Sequence, residues 1–298
     1  LDQCERVGDA QWDKAAREIL SHIRQRSLEW SPEQRHLPIV LYSLHQIRKA
    51  LARYETAMKD IESDEIASTL TTRIEKLKKD LETLSQRCEN CPAEKKAITQ
   101  LALDVAALAK RNEALEFDVW RAQMAHETDD DFVAYPLDAY EKTFPAKKLD
   151  DRQIKDVELA LAGDERESFQ IYLASLRGEL NNVKVSFSPL TSGWLWFGDE
   201  IPATAFSYRI VNYLKMLGAQ EGENPKLTED PGTMFPREYY PDPLYPGKPF
   251  NLPVDKQKTL WVDFHCPRNT PPGEYEGDMT ITAGDTEIDI PIKVTVYG

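Results

Sequence analysis

The sequence lacks several features that would assign it to a common class of protein. It has no run of about 18 apolar residues, so no segment predicts a transmembrane helix. It also has no Gly-rich phosphate-binding loop. Basic residues are in the minority, 37 against 51 acidic residues, and the formal charge of −14 disfavours a nucleic-acid partner because phosphate binding needs a basic surface. The opening residues, Leu1-Asp2-Gln3-Cys4, lack the basic and apolar stretches of a signal peptide.

Cysteine is also scarce, with four residues in the chain, and Cys88 and Cys91 form a single C-x-x-C motif. A structural zinc site usually requires a second pair of Cys or His at similar spacing, which is missing, so we expect no metal here. No pattern indicates a cofactor. A disulfide, either between Cys88 and Cys91 or from Cys4 to this turn, would fit an oxidising compartment. Reduced, unreactive thiols are the alternative interpretation.

Residues 1–126 have the periodicity of amphipathic helices, with apolar residues spaced by three and four. A first helix is predicted from Trp12 to Ile23, and a break near Ser63-Asp64 separates the next two. Short turns between helices predict an antiparallel helical bundle. The three later apolar stripes are Leu37, Val40, Leu44, Ile47, Leu51, Tyr54, Met58 and Ile61; Ile66 or Ala67, Leu70, Ile74, Leu77, Leu81, Leu84 and Cys88; and Ile98, Leu101, Val105, Leu108, Asn112, Leu115, Val119 and Ala122.

Residues 127–298 have the alternating pattern of β-strands, with Gly and Pro turns between them. Val157–Leu161, Phe169–Leu173 and Ile288–Val296 are the clearest cases. The pattern predicts an antiparallel β-sandwich, so the chain as a whole is expected to be a helical domain followed by a β domain. Residues 214–258 do not fit the rhythm and are interpreted as a Pro-rich, structureless insertion.

Four motifs in the β half occur in an order that resembles a known family. They are Gly163-Asp164-Glu165-Arg166-Glu167-Ser168-Phe169-Gln170, Tyr240-Pro241-Asp242-Pro243-Leu244-Tyr245-Pro246, Leu260-Trp261-Val262-Asp263 with Cys266-Pro267, and Thr270-Pro271-Pro272-Gly273-Glu274-Tyr275-Glu276-Gly277. Together they are similar to the N-terminal β-sandwich of glycoside hydrolase family 123, which includes β-N-acetylgalactosaminidases. The resemblance covers about residues 130–298 and leaves the helical half unassigned.

The resemblance implies a (β/α)8 catalytic barrel after the sandwich, with an Asp-Glu pair that works by substrate assistance. The sequence stops at Gly298, where that barrel would begin, so no catalytic residue is transferred to this chain. We expect a non-catalytic N-terminal part of a bacterial glycoside hydrolase, whose parent polypeptide acts on N-acetylhexosamines in glycans. We expect the protein to be secreted, periplasmic or on the cell surface, and its partner to be the missing C-terminal barrel. A module at the cell surface that binds carbohydrate or protein is the alternative.

Aromatic side chains are the candidates for sugar binding, because flat rings pack against the C–H faces of a pyranose. Trp194 and Trp196 would point to the same side of a strand. Tyr239, Tyr240 and Tyr245 in the Pro-rich segment form a second candidate set. Burial in the protein core is the simpler explanation for large aromatics. Trp261 is interpreted as structural, and Tyr275 as a residue whose hydroxyl anchors a sandwich corner.

Overall fold

The computed structural model describes residues 37–59, 61, 65–91, 94–149, 156–193, 199–215 and 239–298. The helix predicted from Trp12 to Ile23 lies outside these residues. The described chain divides into two compact units. The first contains residues 37–53 and 73–112, and the second contains residues 54–72 and the described residues from 113 onward, which include all of the described strands.

Three helices confirm the predicted stripes. Helix α1 spans Leu37–Ala57, α2 spans Glu65–Glu89 and α3 spans Lys95–Glu127. The chain leaves α1 before the predicted break and enters α2 after it. The stripes are buried from Leu37 to Tyr54, from Ala67 to Cys88 and from Ile98 to Ala122. Met58 and Ile61 of the first stripe lie beyond the end of α1 and are half-buried, and Ala50 and Phe117 are buried although they lie off the stripes. Asn112 is half-buried on its stripe.

Polar pairs show that α2 and α3 run antiparallel in the first unit. Arg87 near the end of α2 pairs with Asp104 at 2.7 Å, and Asp80, two turns earlier, pairs with Arg111, two turns later, also at 2.7 Å. An earlier residue of α2 therefore pairs with a later residue of α3, as expected for antiparallel helices. These pairs are a third to a half exposed, so they define the register and contribute little stability.

The second unit contains two sheets, and all but one of the strand pairings among the described strands are antiparallel. The strands are β1 Phe132–Asp138, β2 Val157–Ala162, β3 Arg166–Ser175, β4 Leu180–Phe187, β5 Leu190–Thr191, β6 Glu200–Ile201, β7 Phe206–Lys215, β8 Tyr239–Pro246, β9 Phe250–Leu252, β10 Lys258–His265, β11 Gly273–Ala283 and β12 Thr286–Tyr297. A five-stranded sheet has the order β1-β3-β10-β7-β8, and a second sheet is built along β2-β12-β11-β4-β9.

Apolar side chains from the inner faces of both sheets fill one core. Strand β3 contributes Phe169, Ile171 and Leu173 to this core, and β10 contributes Leu260, Val262 and Phe264. In each strand the residues between them face the outer side of the sheet. Alternate residues of β12 supply the opposite face, from Ile290 to Val296. This arrangement confirms the predicted sandwich, because strict alternation puts every second residue on the buried face.

Three strands differ from the expectation drawn from the sequence, and two of them, β1 and β8, contain proline. The expectation of irregular structure over 214–258 is wrong for Tyr239–Pro246 and Phe250–Leu252, which are strands. Residues 216–238 lie outside the described part of the chain. Strand β1, which contains Pro136, was also missed. Both β1 and β8 are edge strands, where a residue without an N–H removes no hydrogen bond from a second neighbour.

The predicted anchor at Tyr275 is present. Tyr275 is buried, and its hydroxyl donates to the Pro271 carbonyl at 2.8 Å. The bond joins the start of β11 to the turn before it. This contact fixes a corner of the sandwich, as the Pro-Gly-Glu-Tyr motif indicated.

Candidate functional site

The outer face of the five-stranded sheet is covered at one end by the last turns of α3. Phe117 stacks on Trp120 with ring centroids 5.7 Å apart, and Trp120 meets the buried Tyr172 of β3 edge-on at 6.1 Å. Val133, Leu137, Ala174 and Leu176 complete this apolar layer. The sheet therefore has a second hydrophobic layer on its outer side, supplied by residues 117–125 of the helix.

Two arginines fasten the helix to the sheet. Arg121 donates to the carbonyl of Ser175 at 2.6 Å and to that of Leu176 at 3.1 Å, and it pairs with Asp118 at 3.0 Å. Burial lowers the pKa of the Arg121 guanidinium, and Asp118 partly offsets that effect. Arg177 donates to the carbonyl of Ala125 in the last turn of the helix and to those of Thr128 and Asp130 just after it. Cations at a helix C-terminus also interact favourably with its dipole.

The loop that follows β1, residues 139–149, covers the middle of the same face. Tyr172 donates its hydroxyl to the Lys147 carbonyl at 2.9 Å, and the hydroxyls of Thr143 and Thr259 lie 2.7 Å apart. Gln257 donates to the Phe144 carbonyl at 3.0 Å and to the hydroxyl of Tyr213 at 2.6 Å. These buried polar groups hydrogen-bond one another, which holds the loop in a fixed position.

Gln170 determines the shape of the first turn in this loop. Its buried side-chain amide donates to the carbonyls of Asp138, Ala139 and Glu141 at 3.0, 3.0 and 2.7 Å. The Asp138 carboxylate accepts the backbone N–H of Tyr140 at 2.8 Å, which closes the turn from the other side. Tyr140 is nevertheless 93% exposed. The sheet thus presents a large aromatic ring on a preorganised turn.

Further along the outer face, four residues of β3, β7 and β10 form a cluster that we call the outer-face patch: Ser168, Arg209, Trp261 and Asp263. Trp261 is the direct cross-strand neighbour of Gln170 on one side and of Arg209 on the other. Asp263 lies one row further, opposite Ser168 and Ser207. Register partners in an antiparallel sheet share a face, so these side chains are neighbours.

Asp263 organises the patch. One carboxylate oxygen accepts the Ser168 hydroxyl and the Trp261 indole N–H, both at 2.8 Å, and the other accepts Arg209. Burial by itself raises the pKa of Asp263, but these hydrogen bonds and the charge of Arg209 bring it below its usual value. The carboxylate is therefore ionised at neutral pH. It is suited to orienting its neighbours and unsuited to acting as a general acid.

Arg209 and Trp261 are held in place but remain accessible. The Arg209 side chain is 43% exposed, and within the described part of the chain Asp263 is its hydrogen-bond partner. A guanidinium has five N–H groups, so most of them point to solvent. Trp261 is half-buried with its N–H already satisfied. The patch can offer aromatic surface and oriented donors to a ligand that is rich in oxygen acceptors.

The sequence-predicted aromatic sets do not form this patch. Trp194 and Trp196 lie outside the described residues. Tyr239 and Tyr245, 39% and 54% exposed, stand near opposite ends of β8, roughly 20 Å apart at the strand rise per residue. Tyr240 is half-buried and meets Phe144 edge-on at 6.2 Å. The structure therefore does not join the three tyrosines into one surface, and sugar binding by any of them stays a prediction.

The C-x-x-C motif lies at the end of α2. Cys88 is buried in the last turn, and the backbone N–H of Cys91 donates to its carbonyl at 3.4 Å. Burial raises the pKa of the Cys91 thiol, and Arg87 only partly offsets this effect. A raised pKa disfavours a reactive thiolate. The pairing of these cysteines stays a prediction.

The sequence does not predict most of the patch. Its motifs assign Trp261 and Asp263 to a family strand and Ser168 to a strand-entry segment. Arg209 carries no signal in the sequence. Arg209 is separated from Asp263 by 54 positions and Ser168 by 95, so only the strand order brings them together. Because Leu260, Val262 and Phe264 of β10 face the core, the alternating pattern puts Trp261 and Asp263 together on the outer face.

Comparison with protein families supports the resemblance. Residues 138–283 match the glycoside hydrolase 123 N-terminal domain. The matched range runs from the end of β1 to the end of β11 and leaves out β12. No curated protein sequence is significantly similar to the chain.

Solved structures that resemble the chain include a family 123 glycoside hydrolase from Clostridium perfringens, with 17% identity and a TM-score of 0.45. That similarity covers 56% of this chain and 27% of the enzyme, so the chain spans about a quarter of the enzyme's length. A second similar structure is PapD-like domain 7 of human CEP192, with 13% identity and a TM-score of 0.27 over 48% of this chain and 81% of that chain. A third is the CooA pilin subunit from enterotoxigenic Escherichia coli, with 12% identity and a TM-score of 0.27 over 55% of this chain and 97% of that chain. None of the helices in the described part is both long and apolar enough to cross a membrane.

Proposed function

We propose that the chain supports and positions a catalytic barrel on the same polypeptide. Residues 138–283 match the N-terminal domain of glycoside hydrolase family 123, and this match supports an accessory domain of a glycoside hydrolase. The parent enzyme would act on N-acetylhexosamines in glycans. We further propose that the parent is a bacterial protein that works outside the cytoplasm. The family match is the observation that carries this proposal.

The construction of the β unit supports a positioning role. The sheet is braced on its outer side by the end of α3 and by residues 139–149, which are held by Arg121, Arg177 and Gln170. A support that fixes the geometry of a neighbouring domain must resist deformation. Packed layers with hydrogen-bonded polar groups provide that resistance.

The experiment compares this chain with the parent polypeptide from the same gene. We expect purified chain 1–298 to give no release of nitrophenol from a nitrophenyl N-acetyl-β-galactosaminide, while the parent releases it. Turnover by the chain that survives extensive purification would refute a non-catalytic role. In the parent, Arg121→Met should lower the temperature at which activity is lost, and Arg87→Met, which breaks an exposed ion pair on α2, should not. An equal effect of both substitutions would contradict the bracing role.

Cell fractionation tests the proposed location. We expect the protein in its natural host to be recovered from the medium, the periplasm or the cell surface, and recovery only with cytoplasmic markers would contradict this part of the proposal.

A further inference from the structure

The edge of strand β2 lacks the features that protect the other sheet edges in the described part of the chain. The main strand orders of the two sheets end in β1 and β8 and in β2 and β9. Strand β1 contains Pro136, β8 contains three prolines, and β9 has three residues and is followed by Pro253. Proline and short length both hinder the addition of another strand. Strand β2 has six residues and no proline, so its edge is open to a further strand.

The backbone of β2 has hydrogen-bonding groups that point away from its neighbour β12. The Ala162 N–H donates to the Glu165 carboxylate at 2.7 Å, and the Ala162 carbonyl accepts the Glu165 N–H at 3.3 Å, so both groups of Ala162 face away from β12. The N–H and C=O of one residue point to the same side of a strand, and successive residues alternate. The N–H and C=O groups of Glu158 and Ala160 therefore also face outward. Both residues are exposed, and no hydrogen bond from another described segment reaches these groups.

The side chains of β2 suit a neighbouring strand in which apolar and polar residues alternate. Val157 and Leu161 are buried in the sandwich core, and Leu159 between them packs on that core but is only half-buried. Glu158 and Ala160 lie on the opposite, outer face of the sheet. Every second residue of an added strand therefore extends the apolar row, as in other cases of strand addition.

The charges beside β2 indicate which polar residues the added strand carries. Glu158 and Glu276 are the cross-strand neighbours of Lys293, one on each side, and Asp156 pairs with Lys293 at 3.0 Å. The hydrogen bond and the charge of Asp156 raise the pKa of Lys293, and the charges of Glu276 and Glu158 add to this effect. Three carboxylates therefore share one ammonium group, and the excess of negative charge favours a basic partner.

A second copy of the chain fits this edge less well. The antiparallel register that joins the outward groups of Glu158 in one copy to those of Ala160 in the other brings the two Glu158 side chains into diagonal contact across the strands. Each copy also carries a formal charge of −14, so the two chains repel one another.

We propose that the free edge of β2 binds an extended segment of a partner protein in which basic and apolar residues alternate, so that the segment becomes an additional strand of the second sheet. The apolar residues of the segment lie beside Val157, Leu159 and Leu161, and a basic residue lies opposite Glu158. This binding site goes beyond the proposed support of a barrel and does not depend on it.

The test is a fluorescence-anisotropy titration of chain 1–298 into a labelled probe peptide, Val-Lys-Val-Lys-Val-Lys-Val with blocked ends. We expect saturable binding. Two control peptides should bind at least about tenfold more weakly. One is Val-Val-Lys-Lys-Lys-Val-Val, which has the same composition without the alternation, and the other has Glu in place of every Lys.

Substitutions in β2 test the location of the site. Ala160→Pro removes an outward donor and no bond to β12, so it should weaken binding at least about tenfold, whereas Ala160→Thr keeps the N–H and should bind like the unmodified chain. Glu158→Gln should weaken binding about two- to fivefold. Its matched control is Glu287→Gln, which changes an exposed carboxylate on the part of β12 that β2 does not reach and should have no effect.

Equal binding of the rearranged peptide would overturn the proposal, because charge alone would then explain the affinity. Unchanged affinity of Ala160→Pro, shown by circular dichroism to be folded, would also refute it. If that variant does not fold, an equal effect of Glu158→Gln and Glu287→Gln refutes the proposal instead. Sedimentation of the chain without peptide tests the other occupant, since a dimer that is lost in Ala160→Pro would show that a second copy takes this edge.

Discussion

Replacing Arg121 with Met should destabilise the β unit more than any exposed arginine in the helices. The side chain is 11% exposed and lies between the end of α3 and the end of β3, where it donates to the carbonyls of Ser175 and Leu176. Both of those residues are buried. Methionine has similar length and apolar character, so the substitution removes the charge and the donors while it keeps most of the packing.

The expected loss in free energy of unfolding is about 2–4 kcal/mol. A hydrogen bond from a charged group contributes about 1.5–3 kcal/mol, and bonds that share one donor group are not additive. The matched control is Arg87→Met, whose ion pair with Asp104 is a third to a half exposed and should contribute less than about 1 kcal/mol.

Urea unfolding followed by near-UV circular dichroism measures both variants, since the contacting rings of Phe117, Trp120 and Tyr172 report on this junction. A loss of about 3 kcal/mol should lower the midpoint by about 1 M or more. If Arg121→Met shifts the midpoint no more than Arg87→Met, the guanidinium does not fasten the helix to the sheet, and the bracing described above is incorrect.

Three further substitutions test other parts of the sandwich. Gly277→Ala should cost about 1–3 kcal/mol by urea unfolding, because a Cβ would lie 2.7 Å from the Ser188 hydroxyl, whereas Gly178→Ala meets no atom within 4 Å and should be nearly neutral. Tyr275→Phe should cost about 1 kcal/mol in the same assay through loss of its corner hydrogen bond. Folding lowers the pKa of Asp263, so the stability that its carboxylate contributes is present above the unfolded pKa and is lost as the pH falls through the folded pKa. Asp263→Asn should therefore reduce the loss of stability that the protein shows below about pH 4. An unchanged loss of stability in acid would contradict the partners assigned to Asp263.

The spacing of apolar residues predicted the helices and strands that bury a single face. The stripes of α1 to α3 are buried where the spacing of three and four places them, since a helix surface repeats every 3.6 residues. The alternation of β12 likewise identified its inner residues. The edge strands that contain proline, β1 and β8, were not predicted, whereas the edge strand β2 was. Pro136 in β1 and the prolines of β8 are acceptable only at an edge, and the sequence does not say which strand is an edge.

The outer-face patch could not be predicted without the order of strands in the sheet. Strand order in the five-stranded sheet is not the order in the chain, and β10 lies between β3 and β7. Asp263 therefore meets Ser168 and Arg209 only after long-range pairing is known. Nothing local to Tyr140 indicated that Gln170, some thirty residues later, would fix its turn.

The last turns of α3 carry two apolar faces. The stripe Leu115, Val119 and Ala122 continues from the first half of the helix, but Phe117, Trp120 and Met124 add a second apolar face with spacing three and four. A helix with two apolar faces must be covered on both. The second face is the one that packs on Tyr172 and Leu176, and residues 113–127 accordingly lie in the same compact unit as the sheets. The change of period near residue 127 marks the end of the helix, whereas the appearance of the second stripe marks the start of the β unit.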